Sequence, residues 1–489
     1  MKLGFEHTYA ALPERFHSAV PPTAVADPGL VIFNRSLAAE LGLDVDAVER
    51  EATALFSGNR LPDDARPIAM AYAGHQFGNF VPRLGDGRAI LLGELRGRDG
   101  LLRDVQLKGS GLTPYSRTAD GRAAIGPMLR EYLISEAMHA LRIPTTRSLA
   151  VVTTGERVYR EDVLPGAVLT RVAASHVRVG TFEYFAARQD VDGVRHLLNY
   201  VIARHYPELR DSEVPALALL KAVSERQAAL ISQWMLVAFI HGVMNTDNMA
   251  ISGETIDYGP CAFMEQYNPR TVFSSIDYSG RYAYSNQPAI AQWNVARLAD
   301  ALVPLIDADT NKAVQLATEV IQSFMEAFDS CFLDGMRKKI GLVSAEDGDA
   351  PLIRSLLSLM KAAAADFTLT FRKISTCTQT SEGDEAFRQV FSGAAGVDDW
   401  LREWRARLVR DPQLATERAA SMRRVNPVYI PRNHRVEAAL NAASERGDFE
   451  PFRRLLAIVQ NPFEEQAGAG EFELPAAPEE RVCNTFCGT

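Results

Sequence analysis

The sequence predicts an α+β fold in two lobes, the first strand-rich and the second larger and helical. Three observations predict it. Segments rich in Val, Leu and Ile, punctuated by Gly, Asp and Pro, crowd into residues 80–175. A single apolar stripe of helical spacing interrupts them. From about residue 180 the helical spacing takes over and continues to about 460. The chain divides accordingly into an N-terminal extension plus strand-rich lobe (1–175), a helical lobe (176–460) and a tail (461–489).

The elements follow in order. Residues 1–65 combine a proline-containing entry, AVPPTAVADPG, with helical stretches such as NRSLAAELGL. RAILLGELRG, RDVQLKGS, SLAVVTTG, RVYRE and GAVLTRVA read as strands. Between the second and third lies the helix, about Pro127 to Arg142, with Pro127 in its first turn and Met128, Leu129, Tyr132, Leu133, Ala137 and Leu141 as its apolar stripe. VDGVRHLLNYVIARHY and ALALLKAVSERQAALISQWMLVAFIHG are helical. MAI-SGE-TID reads as a hairpin of two short strands, after which helices resume with AQWNVARLADALVPLI and KAVQLATEVIQSFMEAFDSCF. The last 25 residues, rich in Glu, Ala, Gly and Pro, read as a loose tail. This order is the layout of a protein-kinase-like bilobal fold.

Bulk properties narrow the function. The chain has 489 residues, 47% hydrophobic and 23% charged, enough for a sizeable core. A net charge of -9 argues against a nucleic-acid partner, which demands a Lys/Arg excess. The start, MKLGFEHTYAALPERF, has no apolar signal region. The uncharged run from Gln227 to Thr246 is long enough to suggest a membrane span, but Gln227, Ser232, Gln233, His241 and Asn245 make it a buried core helix instead. No membrane association and a cytoplasmic location are the expectation. Five cysteines, sparse and without a CxxC pair, fit neither a disulfide framework nor a structural zinc site.

Several short segments carry chemistry. In VPRLGDGRAILLGE, Gly85 and Gly87 flank Asp86 in a turn between strands. Two readings stand: glycines that let backbone N–H groups approach phosphate, with Arg88 adding a charge-assisted contact, or a tight Asp-Gly hairpin. Lys108 ends a strand about twenty residues later, where kinases place a phosphate-binding lysine paired with a helix glutamate. Glu131 and Glu136 on the following helix are both available, and a solvated edge lysine is the plainer reading. Asp120 and Gly121 in SRTADGRAAIGP shape a turn over a ligand or simply a surface loop. Arg171 and Arg178, seven residues apart, are a phosphate clamp or two surface arginines. HGVMNTDNMAISGETIDYGP is the most specific segment. Asn248 follows His241 by seven residues and Asp257 follows Asn248 by nine, the two oxygen stations that a Mg²⁺-nucleotide site needs. Val243 stands where small-molecule kinases carry the catalytic aspartate of HGDxxxxN. Asp247, the loop's only carboxylate, is a relocated base or a residue that solvates the turn.

Taken together, YAGHQFGNFVPRLGDGRAILLGE, QLKGSGLTPYSR, ADGRAAIGPMLREYLISEAMHALRIPTTRSL, HGVMNTDNM, IDYGPCAFM and QPAIAQWNVARLA resemble the selenoprotein O family over nearly the whole chain. The resemblance implies a kinase-fold protein adenylyltransferase that binds ATP inverted relative to kinases and moves AMP to Ser, Thr or Tyr hydroxyls of proteins. It also implies roles. Gly85, Gly87 and Arg88 belong to the nucleotide loop. Lys108 contacts phosphates and pairs with Glu131. Asp120 and Gly121 contact the nucleotide, and Arg171 and Arg178 bind the inverted phosphates. Asn248 and Asp257 hold Mg²⁺ or Mn²⁺, and Asp247 accepts the proton. Cys487 stands where many eukaryotic members carry selenocysteine, which suggests a regulatory disulfide with Cys261. A conventional kinase using Asp247 as base and a non-catalytic nucleotide-binding scaffold are the competing readings. Val243 weighs against the first, and the presence of Lys108, Asn248 and Asp257 against the second.

Overall fold

Alternation along one strand sets up the whole sheet. Asp104, Gln106 and Lys108 alternate with Val105 and Leu107, so this strand has one polar and one apolar face. The computed structural model, which describes residues 1–377 and 381–486, shows where each face goes. Among the described residues eleven strands form: β1 (His17–Ala19), β2 (Gly29–Phe33), β3 (Ile68–Met70), β4 (Gly74–Gln76), β5 (Asn79–Val81), β6 (Ala89–Arg96), β7 (Leu102–Lys108), β8 (Arg147–Tyr159), β9 (Val163–Ala173), β10 (Phe239–Ile240) and β11 (Ala262–Phe263). Seven of them make one antiparallel sheet in the order β1-β3-β6-β7-β9-β8-β2.

One sheet face, with Val105, Leu107, Val168 and Val172, packs on α1 (Arg35–Glu40) and α2 (Val45–Phe56). Side-chain oxygens of Asn34 and Asp44 cap these helices by accepting from Leu37 N and Ala47 N. The other face meets α3 (Ile125–Ala140), which packs on β8 and β9. Helix α3 is buried almost all round, Glu131 and Glu136 included. The cause lies far along the chain: the helices Asn433–Arg446 and Glu450–Val459 return to cover its outer side.

The helical lobe follows: α4 (Val179–Ala186), α5 (Val191–His205), α6 (Pro215–Leu236), α7 (Gln287–Ile306) and α8 (Thr310–Lys339), then shorter helices. Helix α6 packs against α7 and α8. The α+β, two-lobed expectation therefore holds, with an antiparallel sheet first and helices after. Local expectations need correction. SLAVVTTG and RVYRE are one strand, β8, whose register shifts between Thr153 and Arg157 across Gly155 at φ +69°. The expected MAI-SGE-TID hairpin does not form. Ala250 bridges instead to Arg178, and Thr255 to Thr145, because each half finds a backbone partner outside the turn. The uncharged run is helical only to Leu236, then turns through Ala238 (φ +59°) into β10 and the loop beyond. Among the described residues no helix is long and apolar enough to cross a membrane. Cys487, half of the suggested disulfide, lies outside the described residues.

Candidate active site

A cavity of about 720 Å³ opens between the lobes. Its floor comes from the polar face of the sheet. Gln106 on β7 lies directly opposite Arg171 on β9, and Lys108 is two residues further along the same face. The loop after α6 supplies the other wall. His241 anchors that loop: its ring is buried, stacks on Trp234 and donates from Nε2 to Ile256 O at 2.8 Å. Burial lowers the affinity of this ring for a second proton, so it acts as a neutral strut. The anchor fixes Asp257, which sits at φ +63°, a left-handed conformation that an aspartate tolerates better than most side chains.

Charges converge on Asp257. Its Oδ1 accepts from Lys108 Nζ at 2.9 Å and Arg171 Nη1 at 2.6 Å, and its Oδ2 from Arg178 Nη1 at 3.3 Å. Lys108 Nζ also donates to Glu131 Oε2 at 2.5 Å, and Arg171 Nη1 to Glu131 Oε1 at 3.2 Å. Burial alone would raise the Asp257 pKa, but Arg171, Lys108 and Arg178 outweigh it and hold the carboxyl well below its usual range. Three cations thus converge on the Asp257 and Glu131 carboxylates deep in the cleft, and Asp86 and Asp247 lie close enough to feel Arg178. Arg178 is fixed by stacking on Tyr72, 4.4 Å from the ring centroid, and by donating to Asp247 O at 3.0 Å. Arg88 also lines the cleft, and its guanidinium makes no ion pair among the described residues.

Asp247 differs from Asp257. Its Oδ2 accepts one long hydrogen bond, 3.4 Å, from Gln76 Nε2, and its Oδ1 is buried without a partner among the described residues. Burial pushes its pKa up to about 7, against the lowering influence of Arg178. Beside it, Asn248 donates from Nδ2 to Val243 O at 2.9 Å, which turns its amide oxygen the other way. Asn248 and Asp257 both line the cleft and offer the hard oxygen donors that suit a divalent cation bound with phosphates.

The description of the family model that matches residues 1–460 is "Protein adenylyltransferase SelO". The chain belongs to the SelO family. Relatives agree along nearly the full length. A "Protein nucleotidyltransferase YdiU" of Rhizobium leguminosarum bv. trifolii is 61% identical over 99% of this chain and 97% of its own. Proteins of the same description from Rhizobium meliloti and Agrobacterium fabrum are 59% and 58% identical, each over 99% of both chains.

Within this SelO-family site, the residues expected from sequence fall into two groups. Lys108, Glu131, Arg171, Arg178, Asp247, Asn248 and Asp257 converge. Gly85, Gly87 and Gly121 line the same cleft, but their lack of a side chain has a steric cause. A Cβ on Gly85 would meet the Tyr115 ring at 2.3 Å, and one on Gly121 would meet Gly111 backbone at 2.2 Å. Asp120 does not line the cleft. Both its oxygens accept from Arg160 at 2.9 Å, and Oδ1 also from Arg122 N.

Three participants escaped sequence reading. Asp86 looked like a turn residue, yet it is buried, and its Oδ2 accepts from Met70 N and Gln106 Nε2, both at 3.0 Å. Gln106 relays onward, accepting from Arg171 Nη2 at 2.7 Å. The period-2 spacing of Gln106 and Lys108 was the signal available. Gln76 gave none, because its partner Asp247 is 171 residues away.

Proposed function

We propose that this chain transfers AMP from ATP to Ser, Thr or Tyr hydroxyls of proteins and releases pyrophosphate. One observation carries the reading: Lys108, Arg171 and Arg178 converge around Asp257, while the loop beside them offers Asp247, not residue 243, as a carboxylate. The descriptions of the relatives support it.

In this reading the β- and γ-phosphates occupy the cationic seat and the α-phosphorus faces outward, inverted relative to a kinase. Mg²⁺ or Mn²⁺ held by Asn248 and Asp257 would neutralise phosphate charge when bound. Asp247 Oδ1, with no competing donor among the described residues, takes the proton of the acceptor hydroxyl. The hydroxyl oxygen forms a bond to the α-phosphorus as the bond from that phosphorus to the bridging oxygen breaks. Pyrophosphate leaves with the electron pair, its charge met by Lys108, Arg171 and Arg178. Arg88 and the 85–87 segment hold the nucleotide from the sheet side. Gly121 contributes its backbone, and the contact implied for Asp120 is dropped from the reading because Arg160 holds its carboxylate.

ATP labelled at the α- or the γ-phosphate tests this. Label retained on protein from α only is the expected result, and label from γ only would sink it in favour of a kinase. A cytoplasmic location and a Cys261–Cys487 tether complete the reading. Thr485, two residues before Cys487, donates its hydroxyl to Pro260 O beside Cys261. Peptide mapping after oxidation that recovers both thiols unlinked would remove the tether.

A further inference from the structure

Near the end of the described chain, Thr485 is held by an isolated β-bridge. Thr485 N donates to Phe273 O at 2.7 Å and Ser275 N donates to Thr485 O at 3.1 Å, which is a parallel bridge between Thr485 and Ser274. The Thr485 side chain is buried to 1% exposure, and its hydroxyl donates to Pro260 O at 2.6 Å. Its neighbours are exposed, Phe486 at 67%. A single small hydroxyl residue therefore plugs into the protein while the chain on either side lies open.

The plug sits between two hollows. On one side Phe486 and Ile276 line the mouth of the nucleotide cleft, together with Pro260. On the other, Asn484 lines a second cavity of about 730 Å³ with Arg270, Ser275 and Tyr278. Ile276 and Tyr278 are large, apolar or aromatic, and 54% and 92% exposed. An extended segment laid along residues 273–275 would thus run through a groove that leads into the cleft. Backbone pairing gives such a site affinity without sequence, and side-chain pockets give it preference.

We propose that the 273–275 edge is the docking strand for extended acceptor segments of substrate proteins, and that the chain's own tail occupies it as a resident competitor. The segment it prefers carries a small hydroxyl residue at the position of Thr485 and an apolar or aromatic residue next toward the cleft. That hydroxyl is an anchor that hydrogen-bonds Pro260 O, distinct from the hydroxyl that receives AMP. This rests on the AMP-transfer reading for the word "acceptor".

A fluorescent peptide of residues 479–486 with Cys483→Ser tests it. Anisotropy is measured against the full chain and against full-chain Thr485→Asp, in excess reductant so that no disulfide contributes. Thr485→Asp drives the tail from its buried seat. The expected result is at least tenfold tighter peptide binding to this variant. Peptides carrying Thr485→Val, or an N-methyl group at the Thr485 nitrogen, lose that gain, since each removes one donor. In the α-label assay the peptide competes with the protein acceptor, leaves the KM for ATP unchanged, and Thr485→Asp lowers the acceptor KM several-fold. Equal peptide affinity for both proteins, or competition with ATP instead of acceptor, overturns the proposal. Absence of α-label transfer overturns AMP transfer instead, and the anisotropy result still decides whether the edge binds extended chains.

Discussion

Asp86 and Asp247 face the same cleft, and burial raises both, yet they ask different things of a substitution. Asp86 is held on one oxygen by Met70 N and Gln106 Nε2, and burial, opposed by Arg178, lifts its pKa from 3.8 to about 6. Between those pH values the folded chain binds the more protons, so the stability this group contributes falls as pH rises from about 4 to 6 and is flat above. The displacement corresponds to roughly 3 kcal/mol. An asparagine keeps an oxygen for the two donors and has nothing to ionise. Asp86→Asn is therefore expected to gain on the parent by up to about 3 kcal/mol between pH 4 and 7. Parallel denaturation profiles across that range would contradict it. Asp247 is different because one oxygen has no partner among the described residues and stays available to a proton donor. Asp247→Asn should cut kcat by roughly 10²–10⁴-fold while ATP affinity stays within about threefold. Loss of ATP binding would make Asp247 a ligand instead of a base.

At the scale of elements, the β4–β5 hairpin positions that acid. Its turn, Phe77 and Gly78, has both residues at positive φ (52° and 84°), as a tight two-residue hairpin turn requires. The hairpin clamps the loop: His75 N donates to Thr246 Oγ1 at 2.7 Å and Phe77 N to Asn245 Oδ1 at 3.1 Å. Gly74 lies so close that a Cβ would meet Asp247 Oδ1 at 2.5 Å. Gly74→Ala must push the carboxylate aside, and a displacement of that size is expected to cost roughly 10–100-fold in kcat with the KM for ATP nearly unchanged. A thermal scan matching the parent would show that the loss is local; an unchanged kcat would refute the positioning. This hairpin is not legible in the sequence because its three-residue strands, though they pair with each other, carry no long β-branched run, and the residues it clamps lie in a distant loop. Strands β6 and β9 are legible because of their long apolar runs, and β7 because its alternating residues lie between Gly100 and Gly109. Around residues 85–87 the glycines were seen but their cause was not, since Tyr115 reaches Gly85 from a loop thirty positions on. Lys108, Asn248 and Asp257 were legible because chemistry fixes their residue types, whereas Asp86 and Gln106 act only through register across the sheet.

For the whole molecule, the site is also the joint. Lys108 and Arg171 belong to the sheet, Arg178 caps the first helix of the second lobe, and Asp257 belongs to the loop beyond β10. One carboxylate therefore neutralises cations from both lobes. Breaking a buried cluster by removing one partner costs more than the cluster itself contributes, because the remaining charges stay desolvated. Asp257→Asn keeps the shape and removes the charge. It should lower apo stability by roughly 3 kcal/mol, since Lys108, Arg171 and Arg178 lose the one carboxylate that all three contact. The same change makes the seat more positive and removes a metal ligand, so its two effects on ATP oppose each other. Thermal stabilisation by ATP in EDTA should be retained or larger than in the parent, while the additional stabilisation brought by Mg²⁺ should vanish. A variant whose melting temperature still rises further with Mg²⁺ would place the metal on other residues, and one that no longer responds to ATP in EDTA would mean that the three cations do not hold the phosphates.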